Sequence, residues 1–405
     1  MSSPVDELFN RALGLEAPWH ITEVTFSEAD RELHLHIDFT VGGHFVCPQC
    51  GVAGLTAYDT EEKSWRHLDF FQHKAFLHAR VPRVKCPTCG VHQVEVPWAR
   101  PGSGFTLLFE ALILALVRDL PVKALARLIG EQDTRIWRVV RHYVAEARRQ
   151  EDHRGVTRIG MDETARKRGH NYVSLFVDLD QFRVLFATPG KDSSTIAAFA
   201  EDFQAHNGDP DKVRDVCCDL SPAFIKGVET HLANADITFD RFHVMKIIGD
   251  AVDRVRREEQ KHETLLRRSR YLWLTNPENL KQNQRQRLEH LSQFDLKTAR
   301  AYRIRMSLKA FWEQPADLAA DYLQRWFFWA THSRLEPIID AAYTIKRHWE
   351  GILRFTHSHI SNGILEGINS KVQAARNKAK GYRSLDYFTT IIYLIAGKLN
   401  LPSPT

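Results

Sequence analysis

Four cysteines and three carboxylates carry most of the chemistry this sequence could do. Cys47-Pro-Gln-Cys50-Gly51 and Cys86-Pro-Thr-Cys89-Gly90 are matched knuckles separated by 35 residues. Each turn aims two thiolates at one point, and two turns complete the tetrahedral sulfur shell that zinc favours. His44, His67, His73, His78 and His92 lie nearby as alternative ligands. Four cysteines already suffice, so one structural Zn²⁺ is expected, in a closed shell with no catalytic role. In a reducing compartment such pairs read as metal before disulfide.

The carboxylates are scattered. Glu366 stands near the start of a predicted helix, in the run Ser361–Arg383. Lys371, Arg376, Lys378, Lys380 and Arg383 follow it, with no further acid before Asp386. One carboxylate beside so much positive charge suggests a metal ligand facing a polyanion, with partners from elsewhere in the chain. Asp162 and Asp219 are the best placed, each at the end of a predicted strand. Three carboxylates suit Mg²⁺ or Mn²⁺, hard ions that take oxygen ligands. Two such ions ~3.5–4 Å apart can activate an attacking oxygen and steady a leaving one in a phosphodiester. Glu163 and Asp240 compete for the role. Glu163 should point to the opposite face if its strand continues. Asp240 and His243 are either extra ligands or residues that hold a ligand in place, and His243 could also touch phosphate or be plainly structural.

These residues need elements to position them. At 405 residues, two to four domains are expected. The hydrophobic content of 43% and charged content of 26% are those of a globular protein. No apolar run is long enough for a membrane span and no signal peptide is visible, so a cytoplasmic location with no membrane partner is expected. The net charge of +5 is mild. Its distribution is more telling. Residues 254–270 hold seven Lys/Arg against three Asp/Glu, and residues 281–305 hold seven against two. Such clusters suit a phosphate-rich partner, or are solvated helix faces.

Residues 1–98 read as a hairpin over 21–39 followed by a zinc ribbon. Trp98–Gly104 reads as a linker by its Pro and Gly. Residues 105–150 read as three helices: Phe105–Arg118, Val122–Ile129 ended by Gly130, and Gln132–Arg148. The third sets Ile136, Val139, Val140 and Tyr143 against Arg135, Arg138 and Arg141 on another face. This fits a helix-turn-helix with the third helix in the major groove, or an ordinary three-helix bundle. Residues 156–243 alternate strands and helices: three antiparallel strands, a helix, a parallel strand, a helix and a last strand. That is the order of an RNase H-like domain. Residues 244–353 contain no strand pattern and read as an all-helical insertion, its tryptophans mostly core. Residues 354–405 return to the core as helices carrying Glu366. The fold class is therefore multidomain α/β: an RNase H-like catalytic domain with a helical insertion, preceded by a zinc ribbon and a helix-turn-helix.

The runs Met161-Asp162-Glu163, Cys218-Asp219-Leu220-Ser221-Pro222, Phe239-Asp240-Arg241-Phe242-His243 and Ser361-Asn362-Gly363-Ile364-Leu365-Glu366, with Lys371, Arg376 and Gly381, resemble the DDE transposases of bacterial insertion sequences, specifically the ISL-three family. The resemblance covers nearly the whole chain. It implies Asp162, Asp219 and Glu366 as the catalytic triad, with the helical insertion between the second and third acids. It also implies DNA cleavage followed by strand transfer, on transposon ends and target DNA. The ribbon and helix-turn-helix would recognise the terminal repeats, and a homodimer or higher assembly would hold two ends. On the helix, Arg376 is expected to return close to the Glu366 face and contact phosphate. Lys371 lies well off that face and, with Lys378 and Lys380, would hold flanking DNA. Two other functions remain open: a DNA-binding regulator with an inactive nuclease domain, and a structure-selective nuclease.

Overall fold

Period-two and period-3.6 hydrophobic patterns lay the chain out as two compact units, Met1–Glu146 and Ala147–Asn400. The computed structural model describes residues 3–167, 171–358, 360 and 363–402. Ser361 and Asn362 of the Glu366 motif lie outside the described residues.

In the first unit, Ser3 and Asp6 close a reciprocal capping box on α1 (Pro4–Ala12). β1 (Trp19–Ser27) and β2 (Glu32–Phe39) form the expected antiparallel hairpin, burying Leu33, Leu35 and Ile37 at alternate positions. β3 (Ala57–Phe70) and β4 (His73–Cys86) form a longer hairpin. Its turn residues, Phe71 and Gln72, both take positive φ, as two-residue hairpin loops require. β4 also pairs in parallel with β2, and β5 (Gly90–Gln93) pairs with its last residues.

The expected linker is instead packed. Trp98 is 6% exposed and meets Trp19 and Trp65 edge-on, at centroid distances of 5.0 and 5.6 Å. The Pro and Gly after it bend a strap. The strap accepts the Arg66 amide at the Gly104 carbonyl (3.0 Å) and the Leu107 amide at the Trp98 carbonyl (2.8 Å). Composition marked the turns correctly but not the aromatic anchor that fixes them. α2 (Leu107–Val117), α3 (Val122–Leu128) and α4 (Asp133–Arg149) follow, with Gly130 in the left-handed region between the last two. Ile136, Val139, Val140 and Tyr143 are all buried. Glu110, fully buried on α2, accepts from Arg100 (2.9 Å), Ser103 (2.6 Å) and Tyr143 (2.7 Å), which satisfies the acid and fastens the strap to the helices.

The second unit is built on β6 (Arg158–Lys167), β7 (Asn171–Asp178), β8 (Arg183–Pro189), α5 (Ser193–Ala205), β9 (Asp215–Cys218), α6 (Pro222–His231) and β10 (Asp236–Phe239). The sheet order is β10-β9-β6-β7-β8. β6, β7 and β8 are antiparallel neighbours, while β9 runs parallel to β6 and β10 parallel to β9. β6 extends well past the expected strand end, so Asp162 sits inside it, paired with Leu175.

A run of helices follows: α7 (Arg241–Glu259), α8 (Arg270–Leu274), α9 (Gln282–Ser292), α10 (Lys297–Phe311), α11 (Ala316–Thr331), α12 (Glu336–Lys346) and α13 (Trp349–Ser358). Trp273, Trp312 and Trp326 are core residues, whereas Trp329 is 39% exposed. α14 (Gly363–Lys378) and α15 (Leu385–Ala396) complete the unit.

The two faces of the sheet pack differently. Met161, Phe176 and Cys218 join a core with Phe199 and Phe203 of α5, Phe224 of α6 and Val244 of α7. Val173, Leu175 and Val177 join one with Leu365, Ile368 and Val372 of α14 and Phe388 of α15. α14 approaches β6 most closely at Gly160. A Cβ there would lie 2.7 Å from Leu365 Cδ1 and 2.8 Å from Leu179 Cδ2.

Candidate active site and metal centres

Strand register sets the acids side by side. Gly160 pairs with Cys217, and Phe239 with Cys218. Extending those registers by two residues and one residue places Asp162 opposite Asp219 and Asp219 opposite Asp240. Three acids thus form a row just past the ends of the parallel strands β9 and β10 and inside β6, at the edge where open α/β sheets bind ligands. The Asp219 Oδ1 accepts the Ser221 amide (2.9 Å), which fixes the carboxylate in the turn entering α6. Asp240, 4% exposed, precedes α7, and its Oδ2 pairs with His243 Nδ1 at 2.8 Å.

The electrostatics bear out this proximity. Burial, then the Asp240 and Asp219 charges, push the Asp162 carboxyl up to about 6, against the opposing pull of the Glu163 amide and His243. The hydrogen bond to Asp240 raises His243, with the Asp240, Asp219 and Asp162 charges adding to it. Glu163 shares the parity of Met161, which packs toward α5. Burial and the Asp219 and Asp162 charges raise its carboxyl too.

α14 supplies the other wall. Asn369 donates its amide to Asp162 Oδ2, Gln373 donates to Thr164 Oγ1 (2.6 Å) and the Ala165 carbonyl (3.0 Å), and Arg376 donates to the same carbonyl (2.6 Å). Glu366 lies one turn before Asn369. It lines a cleft of about 680 Å³ with Asp240, Arg241, Phe242 and Lys246 of α7. The Asp162, Asp219 and Glu366 carboxylates are not gathered within 4.8 Å of one another.

Arg376 corrects an expectation. Ten residues of helix leave it ~80° away from Glu366, on the face that lies on β6, so its guanidinium is engaged by the strand backbone. Lys371 donates to the Ile395 carbonyl after turning toward α15. Lys378 and Lys380 are exposed. Lys380 takes φ 58, and the Gly381 amide returns to the Arg376 carbonyl (2.8 Å), so the helix ends at Lys378 in a Schellman turn. Asn369, Arg241, Phe242 and Lys246 were missed as site residues. Arg241 and Phe242 open α7 and Lys246 follows about one turn later, a spacing that points nowhere until the cleft is seen.

In the first unit the four cysteine sulfurs lie within 4.8 Å of one another, with Cys50 and Cys86 at 3.5 Å. None of the five nearby histidines joins them among the described residues. The Cys89 and Thr88 amides point at Cys86 and hold its thiol down to about 6. The Cys50 sulfur, burial and the Cys86 sulfur push Cys89 up to about 12. Thiols crowded in this way cannot all ionise alone, and a tetrahedral Zn²⁺ resolves the conflict. On α4, Arg138 and Arg141 are exposed. Arg135 is engaged instead, by Glu131 (2.6 Å), the Gly104 carbonyl (3.0 Å) and the Phe105 ring (4.1 Å).

Comparison with known proteins identifies the domains in order. A transposase family model matches residues 159–392. The helix-turn-helix domain of transposase family ISL3 matches residues 94–144, and the zinc-finger of the IS204/IS1001/IS1096/IS1165 transposases matches residues 44–89. The chain is 28% identical to the transposase for insertion sequence element IS1557 of Mycobacterium tuberculosis, over 93% of this chain and 92% of that one. It is also 28% identical to the transposase for IS1001 of Bordetella parapertussis, over 85% and 86% respectively. A zinc finger, a DNA-binding helix-turn-helix and an acid-lined α/β unit in that order place this protein in the ISL3 family of insertion-sequence transposases.

Proposed function

We propose that this protein cleaves the ends of an insertion sequence and joins them to target DNA by metal-dependent phosphoryl transfer, using Asp162, Asp219 and Glu366. The observation that carries this reading is the row of acids within β6 and at the ends of β9 and β10, with Glu366 on α14 lining the cleft beside Asp240. The strand order, with three antiparallel strands extended by two parallel ones, supports an RNase H-like core over residues 156–243 and 354–405, interrupted by the insertion at 244–353. Residues 1–98 and 105–150 are then the ribbon and the DNA-reading helices.

The donor set is all oxygen, which fits Mg²⁺ or Mn²⁺. Held by the three acids, with Asp240 beside Asp219, two such ions would supply an activated nucleophile and neutralise charge on the phosphate. The protein's own groups position. The Asn369 amide fixes one oxygen of Asp162, the Ser221 amide fixes one of Asp219, and Asp240 orients His243. Arg241 and Lys246, exposed in the cleft beside Glu366, take phosphates, and Phe242, 60% exposed, offers a ring for an unpaired base. Water opens the phosphodiester at the transposon end and frees a 3′-OH. That hydroxyl then attacks target DNA in line, displacing a target 3′ oxygen, with no covalent enzyme intermediate. Arg138 and Arg141 would face the terminal repeats, and two ends to be joined call for a homodimer or larger assembly. The substrate places the reaction in the bacterial cytoplasm.

Asp219→Asn is the discriminating variant. It should abolish cleavage of labelled end DNA and keep end binding. A regulator with an inactive nuclease domain would show no cleavage in the wild type. A structure-selective nuclease would cut yet form no joined product with a target plasmid under Mg²⁺. Either result displaces the transposase mechanism.

A further inference from the structure

At the opposite edge of the same sheet, before β6 begins, His153 is fully buried and neither ring nitrogen has a hydrogen-bond partner. The Glu151 carboxylate lies 3.9 Å from Nε2, beyond hydrogen-bond reach. A buried imidazole in that state is costly unless something takes a lone pair. The main chain already holds it in place: the His153 amide donates to the His206 carbonyl (2.8 Å), and its ring stacks on Phe203. Asp202 and His206, four apart at the end of α5, face it. One ligand atom from each of His153, Asp202 and His206 lies within 4.8 Å of the other two. His206 Nδ1 donates to the Asp202 carbonyl (2.7 Å), which leaves its Nε2 with the lone pair, the arrangement that metal-bound histidines adopt.

We infer that His153, Asp202 and His206 hold a second structural metal ion, a first-row divalent cation of the zinc type, with water completing its shell. Two imidazoles and a carboxylate suit Zn²⁺ and not Mg²⁺. Arg148 binds both Asp202 oxygens (3.0 and 2.8 Å). A carboxylate has about four acceptor positions, so it can serve the guanidinium and the ion together. Arg148 also pairs with Glu151, which offsets its charge beside the cation. The ion would clamp residues 150–157, the segment that leads into β6, onto the end of α5. This is distant in the fold from the acid row, which lies where the parallel strands end, and does not depend on its role.

Metal content of the full chain tests this. In excess Mg²⁺, which occupies oxygen-only sites, the wild type should retain two zinc ions per chain. His206→Gln and His153→Phe, the latter keeping the stack on Phe203, should each retain one. On cobalt substitution, the thiolate charge-transfer band of the four-cysteine site should be unchanged in both variants, which also reports that they fold. The weaker d–d absorption of a nitrogen–oxygen site should vanish. Cys47→Ser should show the converse loss. One zinc in the wild type, or two in both histidine variants, overturns the inference. Should His153→Phe lose the charge-transfer band through misfolding, His206→Gln alone decides.

Discussion

Gly160→Ala tests the link between the sheet and Glu366. The new Cβ would lie 2.7 Å from Leu365 Cδ1, 3.2 Å from its Cγ and 2.8 Å from Leu179 Cδ2. Ordinary contact begins at 3.4 Å, so Leu365 must retreat by about 0.7 Å, the difference from 2.7 Å. It is fully buried and Leu179 is 4% exposed, so neither has free space to rotate into. Overpacking of this kind costs about 1–3 kcal/mol. Leu365 adjoins Glu366, so the retreat moves the first turn of α14 away from the Asp162 row. A catalytic group misplaced by ~1 Å can lose ~10²-fold in rate, so a loss between ~10- and ~100-fold is expected here. Single-turnover cleavage of labelled end DNA measures it, alongside end binding, which should hold. Leu365→Ala alone opens a cavity costing about 2–5 kcal/mol. In the double variant the two losses should compensate, and the combined destabilisation should fall short of the sum by more than ~1 kcal/mol. Wild-type cleavage by Gly160→Ala, or strict additivity in the double variant, would refute the claim that this contact sets the site.

Three further tests follow from the same geometry. The folded Asp162 carboxyl, raised to about 6 from 3.8, binds a proton that the unfolded chain does not across that interval. Wild-type stability in metal-free buffer should therefore fall as pH rises through it. Asp162→Asn removes this penalty and should gain up to about 3 kcal/mol at pH 8, shrinking toward pH 5; a gain that grows on acidification, measured by urea midpoints, contradicts the assignment. Asn369→Ala should slow cleavage by roughly 10-fold with end binding intact, since Asp162 loses the donor that fixes it. Identical rates would make Asn369 a packing residue only. Cys86→Ser, or a strong chelator, removes a metal whose binding is worth about 10–16 kcal/mol in comparable sites, and should expose residues 44–89 to protease; an unchanged digestion pattern would mean the ribbon folds without zinc.

Local patterns carried much of this fold, and long-range register carried the rest. The cysteine knuckles, the hairpin at 21–39, the three helices before Arg149 and the strand sequence of the second unit all have signals within a dozen residues. Trp98 could not be assigned to a core from its Pro/Gly neighbours, because its partners Trp19 and Trp65 lie far away in the chain. Helical phase alone does not place Arg376, because the strand that takes up its guanidinium, β6, lies more than 200 residues earlier in the chain. His153 lies in a short polar stretch yet is buried by α5, an element with no local trace there.

The choice between Asp162 and Glu163 shows what the structure adds. Sequence alone offered two adjacent acids and an alternation rule that works in either phase. A slip of one residue would exchange their faces. Gly160 removes that freedom. It is the β6 position that Leu365 crowds, so its parity must face α14. Asp162 and Thr164 share that parity, and they receive the Asn369 and Gln373 amides of the same helix. The absence of a side chain two residues upstream therefore selects which of the two carboxylates faces α14. It also brings an acid 147 positions beyond Asp219 to the cleft that Asp240 lines: Leu365 docks on Gly160, and Glu366 is the next residue.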